Sequence, residues 1–274
     1  RRPTAPSQRR VPRRLVRLDA VRRLIVLQDL DNEALMREVS ATVARAPSPR
    51  PSIETLLHAV LPFKFVEHTH ADAILAVTNT VDGERIARAL FGDVAPLVPF
   101  RHSGFALAKA CDAVYREQAT ANTIGLILLH HGVVAFGDSA RESYENMLRL
   151  VTRAERYLQA QGAWMLPRDL VPFLEPDPQR IAKLRQELSR TAGFPLLLHR
   201  EEGAEWQAYA RRPDLAALSA EGPATPQHAV FIKREPLLGI DIAAYAERYM
   251  RYVAHAHPGR SPADLGLDPA PRVI

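Results

Sequence analysis

A nearly continuous apolar run at residues 124–129 constrains the fold of this chain more than any other feature. The run lacks the apolar-polar alternation of a half-exposed strand, so it predicts a strand buried on both faces. Residues 133–136 continue as strand. Ser139 and Glu142 then form a capping box, which predicts the start of a long amphipathic helix. Its core face is predicted to carry Tyr144, Met147, Leu148, Val151, Ala154 and Leu158.

Histidines cluster around two predicted strands. His68 and His70 lie in a predicted strand at residues 64–71, where alternate side chains share a face about 6 to 7 Å apart. An H-x-H pair arises often by chance, so a site needs more ligands. His130 and His131 follow the apolar run on opposite sides, and only one of them can readily reach the first pair. Three neutral imidazoles with an open position are typical of a catalytic zinc ion or similar divalent ion.

A carboxylate precedes the first histidine pair. Ser52 is the predicted N-cap of a helix at residues 53–61, on which Glu54 and His58 share a face. One interpretation is a surface ion pair at the helix start. The other is a carboxylate directed at a metal ion, because the strand follows after a short turn and the helix must fold back beside the histidines.

The other histidines and the one cysteine are assigned structural or surface roles. His102 is predicted to lie at the surface or at the rim of a substrate site. His228 could be a metal ligand by its residue type, but no other feature of the sequence supports that role. His255 and His257 lie at a predicted helix end, where a solvated or helix-dipole role is favoured. Cys111 is predicted to be buried and apolar. A single cysteine excludes an internal disulfide framework and fits a reducing cytoplasm.

Composition is that of an ordinary globular chain. The 274 residues allow one large or two small domains, with 47% hydrophobic and 24% charged residues. No apolar run is long enough for a membrane span, and no signal peptide is evident. We therefore expect a cytoplasmic protein without membrane contact.

The basic charge is concentrated in an N-terminal arm. Seven of the 36 Lys and Arg residues lie in residues 1–18, which leaves 29 basic against 31 acidic residues in the body. The arm could contact nucleic-acid phosphates. It has no interleaved aromatic residues and contains Pro3, Pro6 and Pro12, so we predict a disordered tail at residues 1–14 and disfavour nucleic-acid binding.

Apolar spacing and breaker residues predict the remaining elements. Asp82-Gly83 is predicted to be a turn. Predicted helices lie at residues 15–25, 31–39, 72–78, 104–118, 178–191 and 241–252. Predicted strands lie at residues 94–100, where an edge strand is expected, and at residues 229–233.

Three motifs carry a family resemblance: Pro51-Ser52-Ile53-Glu54, His68-Thr69-His70-Ala71-Asp72 and His130-His131-Gly132. Through their order and spacing, residues 15–165 resemble the class II aldolase/adducin family. Residues 51–58, 126–137 and 222–233 are further similar to the aldolase part of bifunctional rhamnulose-1-phosphate aldolase/short-chain dehydrogenases.

The resemblance implies a site and a reaction. It makes His68, His70 and His131 the metal ligands, with Zn²⁺ as the expected cofactor, Glu54 the catalytic carboxylate and Ser52 a substrate-binding residue. It implies a lyase that cleaves a ketose 1-phosphate by retro-aldol chemistry, usually as a tetramer. A sugar-phosphate epimerase or dehydratase of the same family, or a non-catalytic adducin-like binding module, stays open as an alternative.

The resemblance also implies an architecture. It predicts an α/β fold, a three-layer α/β/α domain with a mostly antiparallel central sheet at residues 15–165. The strand predicted at residues 229–233 and the helices predicted around it add a smaller α+β extension at residues 166–274. On this resemblance we expect the family's phosphate-binding loop to be missing before Glu54 and the dehydrogenase domain of the bifunctional subgroup to be missing after the aldolase part. We therefore expect an N-terminally truncated domain that lacks its first strands and gains stability and activity when they are restored.

Overall fold

The computed structural model describes residues 15–44, 49–164 and 177–274. The chain divides into two compact units, Arg1–Tyr157 and Leu158–Ile274. The tail predicted for residues 1–14 and the border predicted near residue 165 lie outside the described residues.

Two helices of the first unit begin at residues whose side chains cap them. The Asp31 side chain accepts a hydrogen bond from the Ala34 amide at 2.7 Å, and the Ser139 hydroxyl accepts one from the Glu142 amide at 3.1 Å. The helices are α1 Leu18–Arg23, continued by a 3₁₀ turn at Leu24–Val26, α2 Asn32–Ala41, α3 Thr55–Val60, α4 Asp72–Thr78, α5 Gly83–Phe91, α6 Phe105–Gln118 and α7 Ala140–Ala160.

A mixed sheet forms the centre of this unit. Its strands are β1 Phe65–Thr69, β2 Leu97–Val98, β3 Gly125–Leu128 and β4 Gly132–Gly137, in the order β1-β4-β3-β2. β4 pairs antiparallel with both β1 and β3, and β2 pairs parallel with β3. The mostly antiparallel sheet and the edge position of β2 confirm the prediction.

The sheet is covered on both faces. Leu126, Leu128 and Val134 belong to one buried cluster with apolar residues of α1, α2, α3 and α6. Ile127 alternates with these residues and is also buried, because α7 covers the opposite face and brings Leu150 against β3. The two-sided burial predicted for this strand is confirmed, and the fold is mixed α/β as expected for a class II aldolase.

Cys111 lies within the same buried cluster on α6. Burial raises the pKa of its thiol to about 12. The side chain therefore packs as a small apolar group, as predicted, and is a neutral thiol at physiological pH.

The buried face of α7 differs from the predicted one. Met147, Ala154 and Leu158 are buried as predicted, whereas Tyr144 and Leu148 are exposed. The inner face instead includes the polar residues Ser143 and Asn146 and the apolar Leu150. The Asn146 side chain donates to the Phe136 carbonyl at 3.0 Å, so a polar position satisfies a backbone group of the sheet.

The second unit is helical over residues 177–274, with α8 Pro178–Ala192, α9 Ala204–Ala210, α10 Leu215–Ala220, α11 Pro226–Ile232, α12 Ile242–Ala256 and a 3₁₀ turn at Ala263–Leu265. Its small core contains Leu188, Leu237, Ile242 and Tyr245. The strand predicted at residues 229–233 is wrong, because most of that segment lies in α11. The predicted α+β extension is wrong for residues 177–274, which contain helices and no strand. Thr225 caps α11 by accepting from the His228 amide at 3.1 Å, and Pro226 occupies its first turn.

Among the described residues, no helix is both long enough and apolar enough to cross a membrane.

Candidate metal centre

Strand pairing brings the separated histidines together. β1 runs antiparallel to β4, with His68 opposite Val134 and Thr69 opposite Val133. The end of β1, followed by His70, therefore lies beside the start of β4, which His131 precedes. Gly132 allows this close approach, since a Cβ there would collide with the Thr69 carbonyl.

The three imidazoles converge through the same ring atom. The Nε2 atoms of His68 and His70 are 3.1 Å apart, those of His70 and His131 are 3.1 Å apart, and those of His131 and His68 are 3.3 Å apart. The side chains of His68 and His131 are only 4% and 3% exposed, and that of His70 is 17% exposed. The nitrogens thus form a small, largely desolvated triangle.

A backbone carbonyl fixes the protonation pattern of one ring. The Nδ1 of His68 lies 3.0 Å from the Val133 carbonyl oxygen, which can only accept a hydrogen bond. In the neutral ring Nδ1 therefore carries the proton and Nε2 presents a lone pair to the triangle. This contact was not predictable from the sequence, because the partner is a backbone atom on another strand.

Glu54 completes the group from the start of α3. Its Oε1 lies 3.2 Å from His131 Nε2, 3.4 Å from His68 Nε2 and 3.8 Å from His70 Nε2. Burial alone raises the pKa of Glu54, but hydrogen bonds donated by neighbouring imidazoles, above all by His131, outweigh it and hold the pKa well below its usual range. The carboxylate is therefore ionised.

These four residues could hold a metal ion. Their ligand atoms lie within 4.8 Å of one another. In tetrahedral zinc sites the Zn–N distance is about 2.0 to 2.1 Å, which places ligand nitrogens about 3.3 to 3.4 Å apart. The observed triangle is close to that spacing. The lone pair of His68 Nε2 and the ionised carboxylate of Glu54 face each other across the triangle, and a cation between them would bind both. The nitrogen and oxygen donors fit a divalent ion.

The turn before α3 sets the position of Glu54. The helix starts at Thr55, two residues later than predicted, and Glu54 is its N-cap. The exposed Ser52 accepts from the Glu54 amide at 3.2 Å through its hydroxyl and from the Thr55 hydroxyl at 2.6 Å through its carbonyl. Ser52 thus orders the turn beside Glu54, and its role in substrate binding stays a prediction.

His58 faces the strand. Its Nδ1 donates to the Val66 carbonyl at 3.0 Å, and its ring meets that of His68 edge-on, with centroids 6.4 Å apart. The ring therefore ties α3 to β1, while the Glu54 carboxylate turns to the three histidines.

His130 and His102 lie outside the group. His130 is exposed, has a positive φ of 59° and places Nδ1 3.2 Å from the Asn79 side-chain oxygen. This left-handed conformation turns its ring away from the buried His131. His102 is exposed before α6, with its ring 5.4 Å from that of Phe100.

The histidines of the second unit are also separate from the group. The His228 Nδ1 lies 2.8 Å from the Thr225 hydroxyl, so its ring takes part in the cap of α11. His255 and His257 are exposed at the end of α12.

Comparison with known proteins identifies the family. Residues 17–158, which are 142 of the 274 residues, match the model for the Class II Aldolase and Adducin N-terminal domain, and residues 176–274 match the model for the Aldolase class II second domain. The chain is 29% identical over 228 residues to "Uncharacterized oxidoreductase YuxG" of Bacillus subtilis (strain 168), covering 81% of this chain and 33% of that protein. It therefore spans about a third of the length of that relative.

Two solved structures are also similar. The N-terminal class II aldolase domain of a conserved protein from Thermoplasma acidophilum is 35% identical, with a TM-score of 0.47 over 52% of this chain and 65% of that one. An aldolase II superfamily protein from Pseudomonas syringae is 21% identical, with a TM-score of 0.35 over 53% of this chain and 60% of that one. Because the first family model alone covers more than half of the sequence, the chain belongs to the class II aldolase/adducin family.

Proposed function

We propose that this protein is a metal-dependent class II aldolase, a lyase that cleaves a ketose 1-phosphate of the rhamnulose-1-phosphate type by retro-aldol chemistry. The observation that carries the proposal is the convergence of three imidazole nitrogens and one carboxylate within 4.8 Å. Membership of the class II aldolase/adducin family supports the lyase class.

In this proposal His68, His70 and His131 hold a divalent ion, with Zn²⁺ as the expected metal. When bound, the ion supplies a Lewis acid that stabilises negative charge developing on the ketose oxygens. The hydrogen bond from His68 Nδ1 to the Val133 carbonyl keeps its ring oriented with Nε2 directed inward.

Glu54 is the proposed proton carrier. It is ionised, and its Oε1 lies beside all three imidazoles. It can accept a proton from the substrate and return it to the carbon that loses its bond in the cleavage step. Ser52, next to it in the ordered turn, is the proposed contact for the substrate.

Metal removal tests the proposal. We expect treatment with a chelator to abolish cleavage of rhamnulose 1-phosphate into dihydroxyacetone phosphate and an aldehyde, and zinc or cobalt to restore it. Cleavage by protein shown to contain no metal would refute the mechanism. The assay also separates the alternatives, because an epimerase or dehydratase using the same four side chains would change the sugar phosphate without forming two carbonyl fragments, and a binding module would leave it unchanged.

A further inference from the structure

The second unit contains a small cleft that the proposed aldolase chemistry does not use. Its volume is about 130 Å³, and its lining combines basic and aromatic side chains with one acid: Arg234, Glu235, Tyr245, Arg248, Tyr249 and Tyr252. Four of these residues lie on α12 at positions i, i+3, i+4 and i+7, so they form one stripe of that helix. We call this group, with Lys233 beside it, the α12 cleft.

The two guanidinium groups at the cleft lie near aromatic rings. The guanidinium carbon of Arg248 lies 5.8 Å from the ring centroid of Tyr245, and that of Arg234 lies 5.7 Å from that of Tyr252. The Tyr245 and Tyr249 rings are parallel within 5°, with centroids 6.5 Å apart. A guanidinium group that rests on a ring face keeps its N–H edges free for an oxyanion.

Lys233 adds a largely buried cation in an unusual backbone conformation. Its φ of 66° and ψ of 173° fall in a region that is almost restricted to glycine, so the surrounding structure must hold the residue there. Its side chain is only 9% exposed, and Nζ lies 3.7 Å from the ring centroid of Tyr249. Such strain is typical of functional positions.

Positive charge at the α12 cleft exceeds negative charge. The Lys233 Nζ donates to the Asp268 carbonyl, but the carboxylate of Asp268 is bound by Arg272, and its Oδ1 is 3.9 Å from Nζ. Burial lowers the pKa of Lys233 to about 8, which means that its protein partners do not fully compensate the cation.

The two arginines at the cleft leave part of this charge unpaired. Glu235 lies 3.9 Å from Arg234. Arg248 has no acidic partner within the described part of the chain. An added anion would therefore meet an excess of positive charge.

We propose that the α12 cleft binds the phosphate group of a small molecule. Arginine forks match the geometry of phosphate oxygens, and a cleft of about 130 Å³ admits a single phosphate group with a short substituent. Free phosphate and a phosphomonoester share this chemistry, and the binding experiment distinguishes them.

Isothermal titration calorimetry on the metal-free full chain tests the site, since metal removal excludes phosphate bound through a metal ion at the histidine group. The titrants are inorganic phosphate, glycerol 3-phosphate and, as an uncharged control, glycerol. We expect saturable binding of one or both phosphates and none of glycerol. Arg248→Gln should raise the Kd about tenfold, the loss of one charge-assisted contact. The matched control is Arg251→Gln, since Arg251 lies on the same helix, pairs with Glu247 at 4.0 Å and does not line the cleft.

A tighter Kd for glycerol 3-phosphate identifies a phosphomonoester as the ligand, and equal values identify the phosphate group alone. Absence of saturable binding of either phosphate overturns the proposal, and so does equal weakening by Arg248→Gln and Arg251→Gln. Lys233→Met is a second variant, used with a melting curve to verify folding. Because Arg248 is exposed, its variant decides the result if Lys233→Met does not fold.

Discussion

His68 and His130 show how single residues are given different roles by their hydrogen bonds. The Nδ1 of His68 donates to a strand carbonyl, which leaves Nε2 directed at two other imidazoles. His130 adopts a left-handed conformation, and its Nδ1 contacts Asn79 outside the group. The Glu54 carboxylate stays ionised beside the triangle. In the His130-His131-Gly132 motif, His131 therefore belongs to the triangle and His130 does not, so their substitutions should have different effects.

Alanine substitutions should separate ligands from other histidines. We expect His68→Ala or His131→Ala to lower bound metal to near zero, because two remaining imidazoles hold a divalent ion poorly. His130→Ala, His255→Ala and His257→Ala are matched controls and should leave the metal content unchanged. Metal analysis of the purified variants, together with far-UV circular dichroism, measures this. Loss of metal in any control variant would show that the ligand assignment is wrong.

Glu54→Gln should separate proton transfer from metal binding. The amide keeps the shape of the side chain but cannot accept a proton, so we expect kcat for cleavage to fall about 10²- to 10⁴-fold. Metal content should stay near that of the unsubstituted protein, since the three histidines remain. If metal is lost together with activity, Glu54 is a required ligand and its role as proton carrier is unsupported.

Among the helices and strands, most of the sheet was predicted from the sequence. The two-sided burial of β3 was predicted because its unbroken apolar run allows few other interpretations. It failed where two signals competed. Val230-Phe231-Ile232 favours a strand, but the Thr225-Pro226 helix start overrides it. α5 begins at Gly83, where only a turn was predicted. The face of α7 was misassigned because Asn146 bonds a strand carbonyl, a tertiary contact that periodicity does not contain.

The convergence of the site residues was predictable in part. Alternation on the strand predicted at residues 64–71 placed His68 and His70 on one face, and the short connection placed Glu54 near them. The β1-β4 register, which brings His131 into the triangle, depends on pairing between strands far apart in sequence. The resemblance selected His131, and the backbone of the structure explains why His130 lies elsewhere.

Arg22 provides a test of how α3 is anchored. Its Nε donates to the Ala59 carbonyl at 2.6 Å and its Nη2 to the Leu61 carbonyl at 3.3 Å, so it caps the end of the helix that begins after Glu54. We expect Arg22→Met to lower the free energy of unfolding by about 1 kcal/mol. Arg23→Met is the control, because within the described ranges the Arg23 side chain makes only an exposed contact of 3.5 Å with Asp19. This substitution should change the free energy of unfolding by less than about 0.5 kcal/mol. Urea titrations measure both, and equal effects would contradict the anchoring role.

The two compact units of the molecule contain different candidate sites. The first holds Glu54 and the three histidines, so all four candidate ligand residues belong to Arg1–Tyr157. The second holds the α12 cleft. A ligand for one unit should therefore leave a local signature that the other unit does not share.

Metal binding gives that signature. A metal that binds only the folded state stabilises it by about 2.7 kcal/mol when its free concentration is 100 times its Kd, so we expect zinc to raise the melting temperature of metal-free protein. Hydrogen exchange should slow in peptides that cover Phe65–Thr69 and Gly132–Gly137, the paired strands next to the histidines. Peptides from Ile242–Ala256 serve as an internal control and should exchange at an unchanged rate. Zinc-dependent protection confined to α12 would place the metal away from the histidine triangle. No change in melting temperature would mean that zinc does not bind the folded protein preferentially. In either case the aldolase proposal would have no metal centre in the first unit.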